Sequence, residues 1–244
     1  MAEGLWASLK TATVDFYYHS VRLVVANLVW GVAFFVVLSI AVAGAPLVAL
    51  TVAPLLAVPW VGVVRLASLI ARGDDVVLSD AFEAWRRYLF PALAGGAATT
   101  LAIAILAWNV LAGLDLGNAT GWAFSTFAAW GLVALVIWSL AFWPLLVDPR
   151  REGRPLVETA RGAALLVLAH PARLGALAAI LVTVGVASAI LASAIATFAL
   201  AWIALVAARV VLPLADRVEM SPVPLPLPRA TPAPRSPEAP PDAR

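Results

Sequence analysis

Apolar residues run almost unbroken through 22–43, 47–70, 91–114 and 121–147. A helix that crosses a bilayer needs about 20 mostly apolar residues, so each run is predicted to be a spanning helix. Gly44-Ala45-Pro46 separates the first two runs as a tight turn. Arg65 lies near the end of the second run, where its long side chain can snorkel to the interface. The fourth run is long enough to tilt.

Residues 174–208 form a further stretch of 35 residues without a charge, flanked by Arg173 and Arg209. As one helix it would measure roughly 52 Å at 1.5 Å per residue, against a hydrocarbon core about 30 Å thick. Dividing it near Leu191-Ala192-Ser193 yields spans at 173–190 and 194–214 and returns both arginines to one side. The expected fold is therefore all-α: a polytopic membrane helix bundle of six transmembrane helices over residues 1–219.

Three segments outside these runs have an amphipathic pattern. In 78–90, Leu78, Phe82, Trp85 and Leu89 recur at 4-3-4 spacing and share a helical face, with Ser79, Asp80, Glu83, Arg86 and Arg87 opposite. Asp80 and Glu83 have capping-box-like spacing, and Glu83 and Arg87 form a favourable i,i+4 pair. Leu5, Leu9, Ala12 and Phe16 repeat the 4-3-4 pattern near the N-terminus. The segment 155–169 opens with Pro155, suited to a first helical turn. All three are expected to be interfacial helices. Asp80 to Gly95 and Glu158 to Gly175 each place such a helix before a Pro-x-x-x-Gly entry into a span, a weak internal repeat. The last segment, 220–244, has nine prolines after Ser221 and is expected to be a disordered tail.

Composition reinforces the membrane reading: 63% of residues are hydrophobic and 12% charged, about half the charged fraction of a soluble domain. The first apolar run exceeds the roughly 7–15 residues of a signal-peptide core, so it is expected to stay as an uncleaved span. With the N-terminus inside, the cytoplasmic segments hold all 16 basic residues, while the external turns carry only Asp115. This is the positive-inside pattern, and it predicts a multi-pass protein of the plasma membrane with both termini cytoplasmic. The net charge of +2 is too small to suggest nucleic acid, and the expected partner is the lipid bilayer.

The search for chemistry is mostly negative. There are no cysteines and two histidines, His19 and His170, without a helical His/Glu ligand pattern beside them. No phosphate loop or nucleophile elbow occurs. No enzyme activity, metal or cofactor is expected. The span cores are read as free of ionisable groups, which argues against proton-coupled transport. The neutral polar and aromatic residues Asn27, Trp30, Asn109, Trp130 and Thr183 are candidates for a solute pathway or for helix packing.

The stretch from Asn27 to Gly95 resembles the YesL-like family of bacterial integral membrane proteins. The resemblance rests on Asn27-Leu28-Val29-Trp30, the Gly44-Ala45-Pro46 turn, Arg72-Gly73-Asp74-Asp75, and the run from Asp80 through Arg87 before the third span. It implies a bacterial plasma-membrane accessory or scaffold role near ABC-type carbohydrate importers, and carries no catalytic residues with it. On that reading Asp80, Phe82, Glu83, Trp85, Arg86 and Arg87 are the candidate contact for ABC transporter subunits. The alternative is a small-solute transporter or channel with an uncharged pathway. The sequence leaves homo-oligomerisation open.

Overall fold

The computed structural model describes residues 2–190 and 198–220, and the chain there is helical throughout, without strands. α1 (Ala2–Tyr18) and α2 (Ser20–Val42) lead into α3 (Pro46–Val52), a 3-10 turn (Ala53–Leu56) and α4 (Ala57–Arg72). α5 (Ser79–Arg87), α6 (Leu89–Asp115) and α7 (Ala119–Val147) follow. After a 3-10 turn at Pro149–Arg151 come α8 (Leu156–Ala169), α9 (Pro171–Ile190) and α10 (Leu200–Met220).

Five segments are long and apolar enough to cross a membrane: Ser20–Val42, Pro46–Arg72, Leu89–Asp115, Ala119–Val147 and Pro171–Ser188. These coincide with the first five expected spans. The turn expected near Leu191-Ala192-Ser193, the start of the sixth span and the proline-rich tail lie outside the described residues. From Leu200 onward, α10 continues past Leu214 to Met220 and carries Arg209, Asp216, Arg217 and Glu219. It is more deeply buried than its neighbours, with Ala201, Leu205, Val206, Ala208, Val211 and Leu212 all but inaccessible. α10 packs on α1, α4 and α7, and there Arg209 meets Asp15 of α1 and Asp216 meets Arg72 of α4.

Small residues set the closest helix contacts. α6 and α7 form an antiparallel hairpin in which a Cβ on Gly121 would lie 2.3 Å from the Gly113 carbonyl oxygen. Such close backbone approach is how spanning helices associate where no hydrophobic force acts between them. A Cβ on Gly62 would meet Trp85 Nε1 at 2.3 Å, so the absent side chain lets α5 sit on α4. The N-terminal pattern is expressed directly: Leu9 and Ala12 are buried, and Leu5 and Phe16 pack against the same core.

The face of α5 is rotated from the one its large apolar residues mark. Ala81, Ala84 and Tyr88 are buried, whereas Phe82 is 43% and Leu89 37% exposed. Trp85 is half-buried and Leu78 packs on the core. The contact with α4 is made by Ala81, Ala84 and the Trp85 indole, so burial does not follow the 78-82-85-89 stripe.

Candidate functional site

The densest chemistry lies where α4, α7 and α10 end together. α4 stops at Arg72 because Gly73 takes φ +80 in the left-handed region. The Gly73 and Asp74 amides donate to the Ile70 and Leu69 carbonyls, each at 3.1 Å. This glycine-capped ending leaves Arg72 in the last turn, where a cation complements the helix dipole. α7 stops at Val147 because Pro149 biases Asp148 to extended backbone. The Asp148 carboxylate accepts from the Arg150 amide at 3.2 Å and caps the 3-10 turn that positions Arg151.

These ends interlock through charge. Arg72 engages Asp148 with two hydrogen bonds, Nε to Oδ1 at 3.0 Å and Nη2 to Oδ2 at 2.6 Å. The same guanidinium reaches Asp216 of α10, Nη1 to Oδ2 at 2.5 Å and Nη2 to Oδ1 at 3.1 Å. Arg151 pairs with Asp148, with Asp216 Oδ1 at 2.7 Å and with Glu219 Oε1 at 3.1 Å. Arg154 reaches Glu219 Oε1 at 2.8 Å, and Arg150 stands 3.6 Å from Asp216 at the rim. Asp148 is inaccessible and Arg151 nearly so. Bidentate guanidinium–carboxylate pairs of this kind are strong and geometrically specific.

The pairing sets the ionisation of the group. Hydrogen bonds from Arg72, opposed by burial and joined by those from Arg151, hold the Asp216 carboxyl down at about 2. Burial opposes the charged forms of Glu219 and Arg151, yet hydrogen bonds outweigh it. Glu219, facing Arg151 and Arg154, is lowered, and Arg151, facing Glu219 and Asp216, is raised. Asp216, Glu219 and Arg151 are therefore charged at neutral pH.

Three further ion pairs tie in other segments. Glu152 bridges Arg65 Nη2 at 2.7 Å and Arg87 Nη2 at 2.6 Å, while Arg65 Nη1 donates to the Val147 carbonyl at 2.7 Å. Arg209, inside the expected sixth span, donates from Nε to Asp15 of α1 at 2.8 Å. Thus Arg65 and Arg209 are both held by carboxylates from distant segments.

Of the candidates read from sequence, Arg87 joins this network and Asp80 accepts from the Val77 amide at 2.8 Å. Glu83 and Arg86 are exposed. The pathway candidates are not brought together. Asn27 is fully buried, whereas Asn109, Trp130 and Thr183 face outward. Trp30 stacks on Phe34 at 5.2 Å and meets Trp60 edge-on at 6.4 Å. It borders a cavity of about 300 Å³. A neighbouring cavity of about 460 Å³ lies between α4, α6, α7 and α10, walled by residues such as Val64, Ile103, Leu135 and Ile203. Its hydroxyl-bearing residues are Thr99 and Ser139, and the Thr99 hydroxyl already donates to the Gly95 carbonyl at 2.8 Å.

Sequence reasoning overlooked Asp148, Glu152, Asp216 and Glu219. The available signal was the pairing of acids with bases in Asp148-Pro149-Arg150-Arg151-Glu152, and the i,i+3 spacing of Asp216 and Glu219. Among the described residues no group of three or more metal-ligating side chains could hold a metal ion. No family model, curated protein or solved structure matches the chain. What the fold defines is an all-α chain with five helices long and apolar enough to cross a membrane.

Proposed function

We propose that the chain is a six-span plasma-membrane protein with cytoplasmic termini, acting as a non-enzymatic accessory or scaffold, with carbohydrate uptake through an ABC-type importer as its setting. The observation that supports the accessory reading over transport is the character of the 460 Å³ cavity. A sugar leaving water needs replacement partners for its hydroxyls, and unsatisfied polar groups in an apolar site cost several kcal/mol. Here the wall offers hydrocarbon, indole and two hydroxyls, one of them engaged. The linked ends of α4, α7 and α10 suit a rigid docking base. The setting in carbohydrate uptake comes from the resemblance of residues 27–95 to the YesL-like family.

The chain has no cysteines, so single-cysteine variants report orientation cleanly. Cysteines replacing Ala45 and Leu116 label from outside with an impermeant maleimide, and one replacing Asp75 labels only after the membrane is opened. Labelling of Asp75→Cys from outside refutes the orientation. Deletion of the protein lowers uptake of particular sugars only when the cognate importer is present. Sugar flux through liposomes holding this chain alone refutes the accessory role and favours the transporter alternative.

A further inference from the structure

Beside the ionic cluster, α7, α8 and α10 enclose a slot of about 170 Å³. Its walls are apolar, from Leu145, Leu166, Ala215 and Val218, and its mouth carries Arg154, Glu158 and Glu219. Gly162 borders the slot, and a Cβ built on it meets nothing within 4 Å, so the space above that backbone is open. The outer face of α8 is apolar as well: Val157 is 77%, Leu165 52% and Leu168 75% exposed. A helix with such a face, next to a charged end, has the composition of one lying at a membrane interface.

The mouth holds unused hydrogen-bonding capacity of both signs. Arg151 and Arg154 both bond Glu219 through Oε1, which leaves Oε2 open. Glu158 is exposed and makes no ion pair among the described residues. Arg154 spends Nη1 on Glu219, which leaves its other N–H groups for a further anion. Two carboxylate acceptors and a guanidinium donor around an apolar slot complement a molecule carrying a primary ammonium, a phosphate and a hydrocarbon chain.

We infer that this slot is a binding site for an aminophospholipid of the phosphatidylethanolamine type. The acyl chain enters beside Gly162, the ammonium donates to Glu158 and Glu219, and the phosphate accepts from Arg154. An ammonium offers three N–H donors, whereas a trimethylated choline headgroup offers none and a glycerol headgroup carries no cation. The site therefore selects by headgroup. This inference rests on the membrane placement proposed above.

The test uses the full chain purified in detergent, equilibrated with equal amounts of phosphatidylethanolamine, phosphatidylcholine and phosphatidylglycerol, repurified and assayed for retained lipid by mass spectrometry. Phosphatidylethanolamine is retained about tenfold over phosphatidylcholine, the ratio expected from one charge-assisted hydrogen bond. Glu158→Gln removes most of that preference without touching an ion pair. Gly162→Leu fills the slot and abolishes the enrichment, and because it replaces a helical glycine whose Cβ position is open, the thermal midpoint holds or rises. Equal retention of the three lipids, preference for phosphatidylglycerol, or enrichment that survives both variants overturns the site. Release of the chain from membranes by an alkaline wash instead overturns the membrane placement. Retention in washed membranes without headgroup selectivity overturns the site alone.

Discussion

Replacing Asp148 with Asn tests whether the ionic cluster holds the bundle together. Asp148 is inaccessible to solvent, and its carboxylate receives two hydrogen bonds from Arg72, one from the Arg150 amide and an ion pair from Arg151. Asn keeps the shape but removes the charge between two largely buried guanidinium groups. Removing one partner of a buried pair costs about 3–5 kcal/mol, because the remaining charge is left uncompensated. Both arginines keep Asp216 as a partner, which places the expected loss near the lower end, about 3 kcal/mol. For a chain of this size that is a fall of roughly 6–12 °C in thermal midpoint. Fluorescence-detected thermal unfolding in a fixed detergent measures it, with Glu219→Gln as control. Glu219 is 44% exposed, and its loss should cost no more than about 1 kcal/mol. If Asp148→Asn shifts the midpoint no further than Glu219→Gln does, the cluster is not a structural interlock.

The same cluster predicts an acid limit. The folded Asp216 carboxyl sits at about 2, below its ordinary 3.8, so its contribution is complete above about pH 4 and is lost as pH falls toward 2. That gap corresponds to roughly 2 kcal/mol, and a pH series of midpoints should show a steeper acid slope in the parent than in Asp216→Asn, where Glu219 still contributes its own. Gly121→Ala forces a Cβ against the Gly113 carbonyl, and the resulting overpacking should cost about 1–3 kcal/mol; an unchanged midpoint means α6 and α7 pack more loosely than described. On α5, Trp85→Ala should destabilise by about 3 kcal/mol as a half-buried ring lying over Gly62 is lost. Phe82→Ala, at an exposed position, should cost less than 1 kcal/mol; equal losses at both positions contradict the observed face.

What the sequence made legible was whatever a single segment decides alone. Long uncharged runs announce α2, α6, α7 and α9, and Gly44-Ala45-Pro46 marks the turn before α3. The interlock could not be read in that way. Arg72 is 76 residues from Asp148 and 144 from Asp216, and local periodicity carries no information about which chain ends meet. The face of α5 misled for a different reason. Periodicity weighted Phe82 and Leu89 by hydrophobic bulk, while the face buried on α4 carries Ala81 and Ala84, with the Trp85 indole fitted against Gly62. Burial of α10 was obscured by its own charges, since hydropathy scores Arg209 as a membrane boundary when Asp15 of α1 in fact meets it.

Under the proposed orientation, the arginines of the interlock act twice, at different times. During insertion the chain has no tertiary structure, and lysine and arginine near span ends bias orientation while aspartate and glutamate contribute little. Acidic residues can therefore share the same end without weakening that bias. After folding, those acids become the partners: Asp148 and Asp216 take Arg72 and Arg151, Glu152 takes Arg65 and Arg87, and Asp15 takes Arg209. A network of bases alone would repel itself at the bundle end, and a neutral one would give no orientation. Neutralising the acids should then reduce stability and leave orientation intact. Neutralising exposed arginines such as Arg86 and Arg161 should weaken orientation and leave stability nearly unchanged. The two properties separate because one is decided before the helices meet and the other only afterwards.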